Sequence, residues 1–282
     1  MVMIIKADGT KVPFDREKAK RSCENASASS SLAEEIITIV EQNLREGMTT
    51  SEMKKMIYSE LDKRESHTAA IYNIRKAIAA LDPVTHQFEK YICHLYQYYG
   101  YETEWSPVPK PQGFCTDHEI DVLLRKGDEI SFVECKHHFS YHRFTGLKVP
   151  MRVWARLQDL KDGFEGKKEG SYNFKEAIIV TNTKFSAHAQ QYAECKNKNL
   201  ELVGWNYPDD NGCLNNLIEK KRAYPLTILN LDAQTVLKLC ELGVHDIKDF
   251  VYVSPDILTR SGLSREKIGQ LSELVENIVG KK

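Results

Sequence analysis

The spacing of apolar residues along the chain changes several times, and each change predicts an element. Residues 1–15 alternate as strands do, with Val2, Met3, Ile4 and Ile5 before Asp8-Gly9 and Val12 and Phe14 after it. Asp-Gly between two apolar segments predicts a hairpin. Helical spacing follows. Asp15 caps a helix through about Cys23, and Ser31 or a neighbour caps one from Leu32 to Leu44. Thr50-Ser51-Glu52-Met53 opens a third helix and His67–Leu81 makes a fourth, with Pro83 marking its exit. Phe88, Ile92, Leu95 and Tyr99 then recur at helical spacing across residues 84–100, before the turn-rich stretch Pro107–Gly113.

Two apolar segments, Ile120–Leu124 and Ile130–Cys135, flank the polar turn Arg125–Glu129 with Gly127 inside it, a second hairpin signal. Beyond it, Pro150 precedes a helical run through Leu160, and the Gly- and Lys-rich run Asp162–Ser171 reads as an exposed loop. Residues 176–205 give strand, helix, strand, which completes a mixed sheet. Residues 225–282 switch to short helices separated by Gly turns.

Charges interrupt the second hairpin. Asp121 lies just inside its first strand, Glu134 near the end of the second, and Lys136 two residues on. The period of two puts Glu134 and Lys136 on one face and Cys135 on the other. Charged groups on apolar strands are costly unless paired or bound to metal. Two converging carboxylates make a hard oxygen site suited to Mg²⁺ or Mn²⁺, which lowers the pKa of a bound water, and Lys136 beside it can orient that water or neutralise developing charge. The same residues also describe a simple carboxylate–lysine ion pair at a sheet edge.

The 282 residues suffice for two or three domains, and 41% hydrophobic with 28% charged residues is ordinary for a globular protein. No apolar run approaches a membrane span, and the N-terminus lacks a signal-peptide pattern. Seven cysteines without a Cys-x-x-Cys pair suggest neither a zinc knuckle nor a disulfide framework and suit a reducing cytoplasm. The net charge of −1 argues against an overall nucleic-acid coat, but charge can be local. From Cys135 to Gln158 no acidic residue occurs, while Arg143, Lys148, Arg152 and Arg156 do, with Phe139, Tyr141, Phe144 and Trp154 interleaved. Such a face can follow a phosphate backbone, and its aromatics can stack on bases or simply pack. His137 and His138 follow the strand directly and are left out of the catalytic set.

Asp121 followed by Glu134-Cys135-Lys136 resembles the core of PD-(D/E)xK nucleases, specifically Mrr-type restriction endonucleases. The helix ending Tyr99-Gly100-Tyr101, the strand Ala177–Asn182 with Phe185-Ser186 and Ala189, and the strand Leu200–Trp205 follow in the same order, so the resemblance spans roughly residues 84 to 222. It implies a metal-dependent DNA endonuclease. Asp121, Glu134 and Lys136 would be catalytic, and Asp121, Glu134, the Cys135 carbonyl and Glu89 would hold Mg²⁺ or Mn²⁺. Arg143, Lys148, Arg152 and Arg156 would contact DNA, and Gln158 would lie near the site. Where the family usually carries small residues, His118 and Glu119 stand, and Glu119 either adds a ligand or faces outward.

Residues 1–82 resemble the ATP-cone, a regulatory nucleotide-binding module, through Ile5-Lys6-Ala7-Asp8-Gly9, Phe14-Asp15-Arg16-Glu17-Lys18, Thr50–Met53 and Ala69–Arg75. This implies binding of ATP or dATP, with Lys6 and Lys18 as phosphate contacts and Thr50 and Arg75 behind them. Ala7 departs from a basic residue often found there. Leu239–Ile247 and Leu258–Ser264 resemble paired helix-hairpin-helix units. The expected architecture is therefore multidomain α/β: a mostly helical ATP-cone over 1–83, a restriction-endonuclease-like mixed β-sheet core flanked by helices over 84–222, and a small all-α tail over 223–282. A nucleotide would gate oligomerisation or cleavage, so a homo-oligomer enters the expected partners beside DNA. Two other functions fit the same residues, a nucleotide-sensing DNA-binding regulator that does not cut and a nuclease of junctions or RNA.

Overall fold

The structure, a computed structural model, describes residues 2–140, 142–196, 199–209 and 211–280. Tyr141 thus lies outside the described residues. The chain divides into two compact units, one of residues 1–76, 228–231 and 250–282 and one of residues 77–227 and 232–249. The stretch 223–282 is therefore shared between the two, and its Gly turns at Gly243 and Gly262 fall in different units.

In the first unit, β1 (Met3–Ile5) and β2 (Lys11–Pro13) form an antiparallel hairpin. Gly9 sits in its turn at φ +83°, and Asp8 Oδ1 accepts the Thr10 N–H. Helices α1 (Arg16–Glu24), α2 (Ser30–Gln42) and α3 (Thr50–Asp62) each start from a side-chain cap: Asp15, Ser29, and a Thr49–Glu52 capping box. The helix expected over His67–Leu81 is instead two, α4 (Ser66–Tyr72) and α5 (Ile74–Ala79). Asn73 breaks it, its N–H shared among the Ala69, Ala70 and Ile71 carbonyls. Cys23, Ile36, Ile37, Ile57 and Leu61 fill this unit's core.

In the second unit, α6 (Gln87–Gln97) leads into a sheet of β3 (Glu102–Trp105), β4 (Val122–Lys126), β5 (Glu129–Lys136), β7 (Phe174–Thr181) and β9 (Leu200–Val203), in the spatial order β3-β4-β5-β7-β9. The first three strands are antiparallel and β7 and β9 run parallel to β5, so β5 is central. Two-residue β6 (Phe144–Thr145) and β8 (Lys184–Phe185) pair beside it. Helices α7 (Lys148–Glu165) and α8 (Ala187–Cys195) cover one face: Leu123, Phe132, Ala177, Ile179 and Leu202 pack against Val153, Leu157, Leu160, Ala189 and Ala193. Helix α6 lies against β3, β4 and β5. Helices α9 (Leu214–Lys221) and α10 (Ala233–Glu241) follow. α11 (Ile247–Tyr252) spans the boundary, and α12 (Pro255–Arg260) and α13 (Arg265–Val279) return to the first unit.

Helix α7 is longer than its sequence suggests at both ends. Pro150 sits in its first turn, where backbone N–H groups have no helical partner to lose. At the other end, Asp162–Glu165, expected in a loop, are helical. Gly163 there meets the 107–119 segment backbone to backbone: a Cβ on it would lie 2.6 Å from the Gly113 carbonyl carbon. His118 Nε2 and the Asp159 carboxylate at 2.7 Å, with the Cys115 N–H on Asp159 Oδ1, clamp the same segment to the helix. That glycine answers to packing, and only its composition looked like a loop.

All seven thiols are free. Among the described residues no helix is long and apolar enough to cross a membrane. Phe132 is fully buried in the centre of the second unit and meets Phe174 edge-on. Phe132→Ala should lower the stability of this unit by about 3–5 kcal/mol, read as a fall in its urea midpoint. An unchanged midpoint would show that the β5–α7 layer does not hold the unit together.

Candidate active site

The site forms where β4 and β5 meet at the end of the hairpin. Val122 pairs with Val133, which brings Asp121 beside Glu134 and Cys135. Asp121 Oδ2 accepts the Cys135 N–H at 2.6 Å. Along β5, Glu134 and Lys136 face the α7 side with Phe132, and Cys135 faces α6. Lys136 Nζ lies 2.7 Å from Glu134 Oε1, and Arg156, reaching in from α7, lies 2.5 Å from Oε2.

The two acids are pushed apart. Burial, and then the Glu134 charge, raise Asp121 to about 6, against the pull of the Cys135 N–H and Lys136. Burial also acts upward on Glu134, which is 8% exposed, but Arg156 and Lys136 outweigh it and hold this carboxyl below its ordinary value. Glu89, in the first turn of α6, adds a third negative charge that acts on Asp121, Cys135 and His137. Its Oε2 is buried without a hydrogen-bond partner.

Carboxylates with an orphaned buried oxygen among them fit a hard divalent cation. The fit is open: the group of His, Cys, Asp or Glu ligand atoms that lies within 4.8 Å among the described residues is a different one, so Asp121, Glu134 and Glu89 stand further apart than that. The Cys135 thiol, pushed well up by burial, stays protonated, which leaves its carbonyl as the group available to a cation.

The surroundings brace this strand end. Thr181 Oγ1 donates to the Lys136 carbonyl, and the Asn182 side chain bonds the backbone N–H and C=O of His138. His137 meets the Ile78 carbonyl and His138 meets Thr145, so both rings are structural here. Glu119 faces outward and pairs with Lys110. Gln158 Nε2 is buried without a partner. Arg143, Lys148 and Arg152 are exposed, while Arg156 turns to Glu134 and leaves the exposed basic face. Phe139 and Phe144 are exposed, and Trp154 packs against the core.

Residues 2–80 match the family model of the ATP cone domain, and residues 81–206 match that of a restriction endonuclease. An uncharacterized protein of Archaeoglobus fulgidus is 32% identical over 189 residues, 67% of this chain and all of that one. The chain is an ATP-cone member of the restriction endonuclease family. A crystallised protein of unknown function shares the fold at 31% identity and a TM-score of 0.56, over 70% of this chain and 100% of that one. The MspJI restriction endonuclease in complex with a 27-mer oligonucleotide aligns over 49% of this chain and 29% of that one, at 15% identity and a TM-score of 0.32, too remote to argue from.

Within the ATP cone, Lys6 and Lys18 are exposed, and Thr50 is the first residue of α3, where the neighbouring Thr49 makes the cap. The structure adds Lys54. Although its side chain reaches solvent, partial desolvation lowers its ammonium, and the charges of Arg75 and Lys18 lower it further. Three basic groups thus converge; elsewhere in this unit Arg16, Lys20 and Arg64 pair with glutamates. Lys54 carries no sequence signal beyond its adjacency to Lys55.

The raised Asp121 has a thermodynamic signature. Between 3.8 and about 6 the native carboxyl holds a proton that the unfolded one has released. The folded state binds more protons there, so its stability falls as pH rises through that window. In EDTA, Asp121→Asn should therefore be more stable than the parent above pH 6, with the advantage fading as pH falls towards 3.8. Urea midpoints across pH check this, and a pH-independent difference would remove the buried-acid account.

Proposed function

We propose that the endonuclease domain hydrolyses phosphodiester bonds of DNA with Mg²⁺ or Mn²⁺, and that ATP or dATP at the cone regulates it. The observation that carries this reading is the convergence of Asp121, Glu134 and Lys136 at one strand end, with Glu89, which has one buried oxygen without a hydrogen-bond partner, close enough for its charge to act on Asp121. A purely structural ion pair needs one acid and one base; three acids around one lysine and one arginine exceed that need.

Asp121, Glu134, the Cys135 carbonyl and Glu89 would hold the cation, which when bound supplies Lewis acidity at the scissile phosphate and a more acidic water. Lys136 would orient the attacking water and balance charge that builds on the phosphate. Arg156 keeps Glu134 ionised and oriented from α7. The exposed Arg143, Lys148 and Arg152, with Phe139 and Phe144 between and beside them, supply backbone contacts independent of sequence. The convergence of Lys18, Lys54 and Arg75 suits the phosphates of a nucleotide, because lysines act there as point charges.

Plasmid cleavage tests the chemistry. Cutting should need Mg²⁺ or Mn²⁺, stop in EDTA, and fall by at least ~100-fold in Lys136→Ala, the scale of one lost transition-state contact. Cutting retained at the parent's rate in both Lys136→Ala and Asp121→Ala would refute the assignment. DNA binding without cutting, on duplex, junction and RNA alike, would favour the non-cleaving regulator.

Calorimetry tests the cone. Lys54→Ala and Lys18→Ala should each weaken ATP or dATP binding about tenfold, which is ~1.4 kcal/mol. Unchanged affinity in both would move the nucleotide elsewhere.

A further inference from the structure

Away from the β4–β5 site, His94 on α6 faces two aspartates at the start of α11, all three within the second unit. His94 Nε2 lies 3.3 Å from Asp249 Oδ2 and 3.6 Å from Asp246 Oδ2, and one ligand atom from each residue falls within 4.8 Å of the others. Backbone N–H groups engage two of the carboxylate oxygens, and one of these, Asp249 Oδ2, is the oxygen that faces His94. Asp246 Oδ1 accepts the N–H groups of Lys248 and Asp249, and Asp249 Oδ2 those of His245 and Asp246.

Asp246 Oδ2 differs. The residue is 0% exposed, this oxygen has no hydrogen-bond partner, and it points at the His94 ring. The Tyr98 hydroxyl, 3.3 Å from His94 Nε2, also acts on the Asp246 carboxyl and pulls against the upward push of its burial. A buried carboxylate oxygen left in this state is expensive unless a cation satisfies it.

The spacing suits an ion. Two ligands held ~2.0–2.2 Å from one cation at tetrahedral angles stand roughly 3.3–3.6 Å apart, which are the two separations seen. We propose that His94, Asp246 and Asp249 form a second divalent-metal site. One imidazole with two carboxylates suits Zn²⁺ or a similar first-row ion better than the all-oxygen set at β5. A cavity bordered by His94, His245 and Cys240 adjoins it, so water can enter as a fourth ligand. The ion would fasten the helix that carries Glu89 to the segment 232–249.

The test is calorimetric titration of Zn²⁺ into the metal-free full-length chain carrying Asp121→Asn and Glu134→Gln, which removes the acids of the other site. One equivalent should bind and raise the unfolding temperature. Adding Asp246→Asn, which preserves shape and the Oδ1 cap, should weaken it by more than about a hundredfold, beyond the ~10–100-fold of a residue that merely orients a ligand. If that variant loses its fold, the visible spectrum of Co²⁺ on the otherwise native chain decides: nitrogen and oxygen ligation supports the site, and thiolate charge transfer assigns the metal to cysteines and overturns it. Absence of a binding equivalent, or one untouched by Asp246→Asn in a folded chain, also overturns the proposal and leaves the triad as a protonated-histidine clasp.

Discussion

Ionised groups resist burial, and the endonuclease domain concentrates them at the one place where its central strand leaves the core. Glu134 is tolerated there because Lys136 and Arg156 each take one of its oxygens. Asp121 has only the Cys135 N–H and a distant share of Lys136, and it answers by holding its proton more tightly. Much of the surrounding architecture serves this end of β5. Thr181 and Asn182 fix the strand as it exits, α7 delivers Arg156, and α6 delivers Glu89. One acid held below its ordinary value and one raised to about 6, side by side, is the arrangement expected of groups that handle a proton or a cation.

Elements built from short-range pattern were legible in the sequence. The β4–β5 hairpin follows from two apolar segments around Gly127, and the alternation along β5 places Glu134, Cys135 and Lys136 on their faces. The caps at Asp15 and Thr49 follow from side chains that bond their own helix turn. What the pattern could not carry was meeting at a distance. Arg156 reads as one more exposed base on an amphipathic helix, and its partner lies 22 residues away on another element. Lys54 becomes distinctive only when Lys18 and Arg75 are brought beside it, and His94 only beside the residues at 246 and 249. Gly163 misled for the same reason, since its purpose is the approach of a loop distant in sequence.

The two domains treat surface charge differently. In the ATP cone Arg16, Lys20, Lys63 and Arg64 pair with glutamates, while the charges of Lys18 and Arg75 act on Lys54 and make a local basic cluster. In the endonuclease domain the acid-free stretch after Glu134 leaves Arg143, Lys148 and Arg152 in solvent close in sequence to the buried acids. Exposed bases and the buried Glu134 thus sit within one segment of about twenty residues, with Asp121 shortly before it.

The interleaved route of the chain has a consequence for biosynthesis. The first unit takes residues 1–76 but also residues 250–282, and α4 packs against α13. On the ribosome, the N-terminal segment emerges long before the helix that covers it, and the whole of the second unit must be threaded out in between. Vectorial folding therefore cannot complete the domains in the order in which they are encoded. The second unit can close once residue 249 has cleared the exit tunnel, and the first waits for residues 250–282.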